Sequence, residues 1–198
     1  MMAFKTIMVT GGAGYVGGIL IPKLIGAGYT VKVFDLYIYG QGVFNDLRPN
    51  DNLIEIEGDI RDIATFRNAV EGCDAVIHLA CISNDPSCDL DPDLARSINW
   101  DCFPGLVDAC KDAGTRRFIF ASSSSVYGIS DDPCVTEEHP RVPVTDYNRY
   151  KAMCEDILVD KADNGFCFTT IRPATVCGYS PRASGENFES GIPFWLEP

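Results

Sequence analysis

The chain has 198 residues, of which 46% are hydrophobic and 22% charged, the proportions of one globular domain with an ample core. With 16 Lys and Arg against 28 Asp and Glu the formal charge is −12, which excludes a broad basic face for nucleic acid or an anionic membrane. No apolar run is long enough to span a bilayer, and Met1–Val9 is too short for a secretory signal and reads as part of the first strand.

That first strand is predicted near 5–10. It runs into Val9-Thr10-Gly11-Gly12-Ala13-Gly14-Tyr15-Val16-Gly17, which opens a predicted helix over 14–27. Gly11 permits a tight strand-to-helix turn, Gly14 lets the backbone approach a pyrophosphate, and Gly17 lets the helix lie close on the sheet. Tyr15 and Val16 fall in the first helical turn, where unpaired N–H groups and the helix dipole favour phosphate. Pro22 predicts a kink in this helix but not a break, because the apolar pattern of Ile19, Leu20, Leu24 and Ile25 continues past it. A second strand over 30–35 ends on Asp35. A carboxylate there can bind the ribose 2′-hydroxyl of NAD and repels the 2′-phosphate of NADP, so NAD is the expected cofactor.

Further along, a strand at 53–57 precedes a helix at 62–71 and a continuous apolar strand at 74–79. A loop rich in Asp and Pro at 84–93 leads to a helix at 95–113 and another continuous apolar strand at 116–121. A second such loop covers 130–146, followed by a helix at 145–163 and a strand at 167–172. This alternation predicts an α/β fold, a doubly wound parallel sheet of Rossmann type with strand order 3-2-1-4-5-6 and its ligand crevice between strands 1 and 4. Residues 1–178 read as one NAD-binding domain and 179–198 as an irregular tail.

The chemistry concentrates late in the chain. Tyr147-Asn148-Arg149-Tyr150-Lys151 contains Y-x-x-x-K at the start of a helix, one βα unit after Ser122-Ser123-Ser124-Ser125-Val126-Tyr127-Gly128. Residues i and i+4 share a helix face, so Tyr147 and Lys151 project together. A free phenol, with a pKa of about 10, is a poor base at neutral pH; a neighbouring ammonium and an oxidised nicotinamide both favour phenolate. Tyr147 is then placed to take a proton from a substrate hydroxyl while a serine holds the reacting oxygen. Lys151 serves charge and the nicotinamide ribose alike.

Other residues carry plainer readings. His78 ends an apolar strand and reads as a core or rim histidine. Asp85, Asp89, Asp91 and Asp93 fit no cation loop and are broken by Pro86 and Pro92, so they read as a solvated capping loop, with no metal site. Glu137-Glu138 reads as polar loop. The nine cysteines contain no C-x-x-C pair and their number is odd, which fits thiols in a reducing cytoplasm.

From residue 4 to about 182 the chain resembles the extended short-chain dehydrogenase/reductase superfamily, in particular its NAD-dependent nucleotide-sugar epimerases and dehydratases. The resemblance rests on Thr10–Gly17, Gly58-Asp59-Ile60-Arg61-Asp62, His78-Leu79-Ala80, Ser122–Gly128, the Tyr147/Lys151 pair and Arg172-Pro173-Ala174-Thr175. It implies that Asp59 and Ile60 flank the adenine, that Leu79 and Ala80 line the cofactor, and that Asn99 supports the site from its helix. It also puts the catalytic hydroxyl on Ser123. Dehydratases of the family carry Asp-Glu in the next two positions, where this chain has Ser124 and Ser125. That favours an epimerase acting at the sugar C4 through a 4-keto intermediate over a dehydratase, while Asp35 disfavours an NADPH-dependent reductase and an NAD-binding module without turnover stands as the second reading. The implied partners are a nucleotide-sugar substrate and a second subunit paired through the helices at 95–113 and 145–163. Members of the family continue into a small C-terminal substrate domain, most of which this chain is expected to lack.

Overall fold

The computed structural model describes residues 4–178. The segment read as an irregular tail, 179–198, lies outside the described residues. Six parallel strands form one sheet: β1 (Thr6–Thr10), β2 (Thr30–Asp35), β3 (Leu53–Glu57), β4 (Ala75–His78), β5 (Arg117–Ala121) and β6 (Cys167–Ile171). Their order is β3-β2-β1-β4-β5-β6, the doubly wound arrangement expected from the alternation of elements. In register, Met8 of β1 stands opposite Lys32 of β2 and Val76 of β4. All of β4 is buried, as a central parallel strand covered on both faces must be.

Successive side chains of a strand point to opposite faces, and that alternation makes two cores. On one face Met8, Phe34, Val76, Phe118 and Phe120 meet Phe66 of α2 (Ile63–Val70), Phe103 and Leu106 of the fifth helix and Leu158 of the sixth. On the other, Val9, Val31, Val33 and Ile77 meet Ile21 of α1 (Tyr15–Gly26) and Phe44. The first helix continues through Pro22 without a break.

Two regions depart from the sequence expectation. The Asp- and Pro-rich loop at 84–93 contains α3 (Asp85–Leu90) and the start of α4 (Pro92–Arg96). The Asn84 side chain accepts the Ser87 N–H and the Asp91 side chain accepts the Leu94 N–H, with Pro86 and Pro92 in the first turns. The helix expected over 95–113 is not one α-helix. α4 passes into a wide π-turn at Ser97–Asp101 before α5 (Phe103–Asp112). Pro104 has no N–H to give the Trp100 carbonyl, so a regular α ladder cannot run through this point. The last helix, α6 (Asp146–Lys161), falls where it was predicted.

The sheet's carboxyl edge is closed up by glycine. Gly11 sits at φ +66°, and a Cβ there would lie 2.6 Å from the Ala80 nitrogen. A Cβ on Gly17 would lie 2.0 Å from the Gly12 carbonyl oxygen, so the helix rests directly on the turn. We expect Gly17→Ala to destabilise the fold by about 3 kcal/mol, seen as a lower urea midpoint with an unchanged slope.

Candidate active site

The glycine-rich turn is tied on both sides. Gly11 N–H donates to the Phe34 carbonyl at 2.9 Å and Gly14 N–H to the Gly11 carbonyl at 3.2 Å. A Cβ on Gly14 would approach only that Gly11 oxygen, so its outward side is clear, the shape that a pyrophosphate cradle requires. Asp35, at the end of β2, is fixed by the same turn: Oδ2 accepts Ala13 N–H at 2.9 Å and Oδ1 accepts Tyr37 N–H at 2.8 Å. Each oxygen keeps a lone pair for a ribose hydroxyl. The Tyr15 hydroxyl donates to the Gly178 carbonyl, which brings the chain after β6 across the turn, while Val16 is exposed. Together these groups fit the diphosphate and ribose of NAD.

The remaining cofactor candidates line the same edge. Asp59 is gripped by Arg61, whose Nε lies 3.0 Å from either carboxylate oxygen, and that guanidinium holds the carboxyl below its ordinary range. Ile60 is buried in the core beside it. Leu79 N–H donates to the Thr10 carbonyl at 3.1 Å, and Leu79 and Ala80 are half-buried where β4 meets β1. Asn99, buried in the π-turn, accepts Ile82 N–H at 2.8 Å and donates to the Ile82 carbonyl at 2.9 Å, fixing the strand exit after Ala80.

The catalytic candidates meet at the end of β5. Lys151 is buried; its Nζ donates to the Ala121 carbonyl at 2.7 Å and stands 5.7 Å from the Tyr147 ring centroid. The ammonium thus faces the tyrosine ring. Burial, reinforced by the Cys81 and Cys88 thiols and the Asp85 carboxylate, pushes the Tyr147 phenol above its ordinary pKa. In the protein alone burial sets the direction of that shift. Ser123 Oγ is 2.7 Å from Ser125 Oγ, which donates to Asn148 Oδ1 at 2.5 Å, so Ser123 is joined to the tyrosine's helix through two side chains.

One buried carboxylate was not singled out from the sequence. Glu155 accepts from Ser122 Oγ at 2.6 Å, from Arg172 Nη2 at 2.6 Å and from Arg141 Nη1 at 3.2 Å. Arg172 Nη1 also donates to the Tyr127 hydroxyl at 2.7 Å. The available signal was spacing, since Glu155 follows Lys151 by one helical turn. The core reading of His78 holds: its Nδ1 is 2.8 Å from Thr10 Oγ1, it packs among Phe103, Phe118 and Phe120, and burial lowers its pKa to about 3. Asn84 and Asp91 act as caps, Asp85 accepts from Thr145 Oγ1 at 2.6 Å, and no metal-binding cluster occurs among the described residues. No helix there is long and apolar enough to cross a membrane.

A family model described as the NAD dependent epimerase/dehydratase family matches residues 7–196. A UDP-glucose 4-epimerase of Rhizobium leguminosarum bv. trifolii is 31% identical over 199 residues, covering 100% of this chain and 58% of that protein. Among solved structures, the UDP-N-acetylglucosamine 4-epimerase of Methanobrevibacter ruminantium M1, in complex with UDP-N-acetylmuramic acid, superposes with a TM-score of 0.77 at 29% identity, over 86% of this chain and 55% of that one. The UDP-glucose 4-epimerase of Brucella ovis in complex with NAD gives 0.76 at 30% identity, over 85% and 51%. The chain thus spans about half the length of the relatives it matches.

The depressed histidine predicts an acid dependence. His78 has a folded pKa of about 3 against an ordinary value of 6.5, so its contribution to stability is complete above pH 6.5 and is lost as the pH falls towards 3. Urea unfolding between pH 7 and 5 should show this as a slope of up to about 1.4 kcal/mol per pH unit, which His78→Gln removes.

Proposed function

The chain belongs to the NAD dependent epimerase/dehydratase family, and from that footing we propose that it binds NAD and a nucleotide sugar and inverts the sugar at C4 through a 4-keto intermediate. The observation that carries this reading is the buried Lys151 beside Tyr147, one βα unit after a serine turn at the sheet's carboxyl edge. Bound NAD supplies the acceptor and donor of hydride and, when oxidised, a positive charge that favours phenolate. Tyr147 takes the proton of the C4 hydroxyl and returns it when the ketone is reduced on its other face. Ser123 donates to the reacting oxygen. Lys151, anchored on Ala121, holds its charge beside the tyrosine and meets the nicotinamide ribose.

Ser124 and Ser125 offer no carboxylate for elimination of water, which weighs against a dehydratase. Asp35 weighs against an NADPH-dependent reductase. UDP-sugars are the first substrates to test, because the similar epimerases act on them. Met153 and Val159 leave apolar surface exposed on α6, which a second subunit would cover in a homodimer. The cytoplasm suits the nine free thiols.

Incubation of the purified protein with NAD and UDP-glucose or UDP-N-acetylglucosamine should yield the C4 epimer. Tyr147→Phe should lower the rate about a hundredfold or more while NAD stays bound. Tight NAD binding with no conversion of any nucleotide sugar would instead leave a binding module. Calorimetric titration should show a preference for NAD over NADP that Asp35→Ser narrows at least tenfold.

A further inference from the structure

The Ser123 hydroxyl begins a chain of side chains that ends on α6. Its Oγ stands 2.7 Å from Ser125 Oγ, accepts the Ser125 N–H at 3.2 Å, and through Ser125 reaches Asn148 Oδ1. Asn148 is buried and directly follows Tyr147, and its own N–H donates to the capping Thr145. A hydroxyl has one proton to give, and an amide oxygen can only accept. Ser125 gives its proton to Asn148, so Ser123 is the donor in the contact between the two serines.

We propose that Asn148 is a positioning residue of the reaction: by holding the Ser125 proton, it directs the Ser123 hydroxyl and couples it to the helix that carries Tyr147 and Lys151. This inference rests on the epimerase reading given above. While the sugar is an alcohol, its reacting proton goes to Tyr147, and the Ser123 proton rests on Ser125. Once the 4-keto group forms, its oxygen only accepts, and Ser123 turns its proton from Ser125 to that oxygen. Ser125 stays behind, because its own proton remains on Asn148. Without the Asn148 amide, Ser125 is free to donate to Ser123 or to compete for the ketone, and the direction of the catalytic hydroxyl is lost.

The test is a double-mutant cycle on the full chain with NAD and a converted UDP-sugar. Asn148→Leu and Ser125→Ala should each lower kcat about tenfold to a hundredfold, with KM, NAD affinity and melting temperature little changed. The double variant should be no slower than the slower single one, since both act through one chain. Ser125→Thr, which keeps the hydroxyl, should recover the rate. A crystal structure of Asn148→Leu should show Ser123 Oγ turned away from Ser125. Additive losses, an unchanged kcat, or Ser123 undisturbed in that crystal would overturn the proposal while leaving the epimerase reading intact. A wild-type protein that neither converts the sugar nor reduces its NAD overturns both.

Discussion

A buried carboxylate has to collect partners, and Glu155 collects them from three separate segments beside the catalytic edge. Ser122 comes from the end of β5, Arg172 from the end of β6, and Arg141 from the loop before α6. The ion pair is less a source of net stability than a pin, since the cost of desolvating the charges offsets much of their attraction. Once Glu155 is pinned, the rest of α6 is indexed from it. Lys151 lies one turn earlier and Tyr147 one turn before that, at steps of about 6 Å along one face. The lysine therefore arrives at the Ala121 carbonyl, and the tyrosine ring stands beside its ammonium.

The cofactor half of the edge is indexed differently, by close approach of backbone. Gly11 lies against Ala80, and Gly17 lies against Gly12, so β1, β4 and α1 meet without an intervening side chain. Thr10 and His78, neighbours across β1 and β4, bond to each other under this junction. The local result is a tight turn that opens the helix Tyr15–Gly26, with an aspartate held at one end. An acidic protein can thus receive a dinucleotide, because the anion meets oriented peptide dipoles and not the net charge.

The strands and long helices were legible in the sequence because their signal is periodic and repeated. Arg117–Ala121 and Ala75–His78 announce central strands by unbroken apolar runs, and α6 by its length. What escaped depends on single contacts. α3 and α4 exist because Asn84 and Asp91 cap them, and in a stretch dense with Asp and Pro such caps look like loop. The role of Glu155 depends on arginines remote in sequence, and that of Asn148 on a serine from another element. The phenol's direction of shift depends on burial, which spacing does not report.

The wide turn at Ser97–Asp101 holds one more residue than a regular turn of α-helix would need. Asn99 reaches both polar groups of Ile82 from within that surplus. Loss of a single codon in this stretch would remove that surplus and rotate everything upstream by about 100°. The amide would then swing off the strand exit, so at this spot the architecture is sensitive to the reading of length rather than of residue identity, and a one-residue deletion would do there what no conservative replacement could.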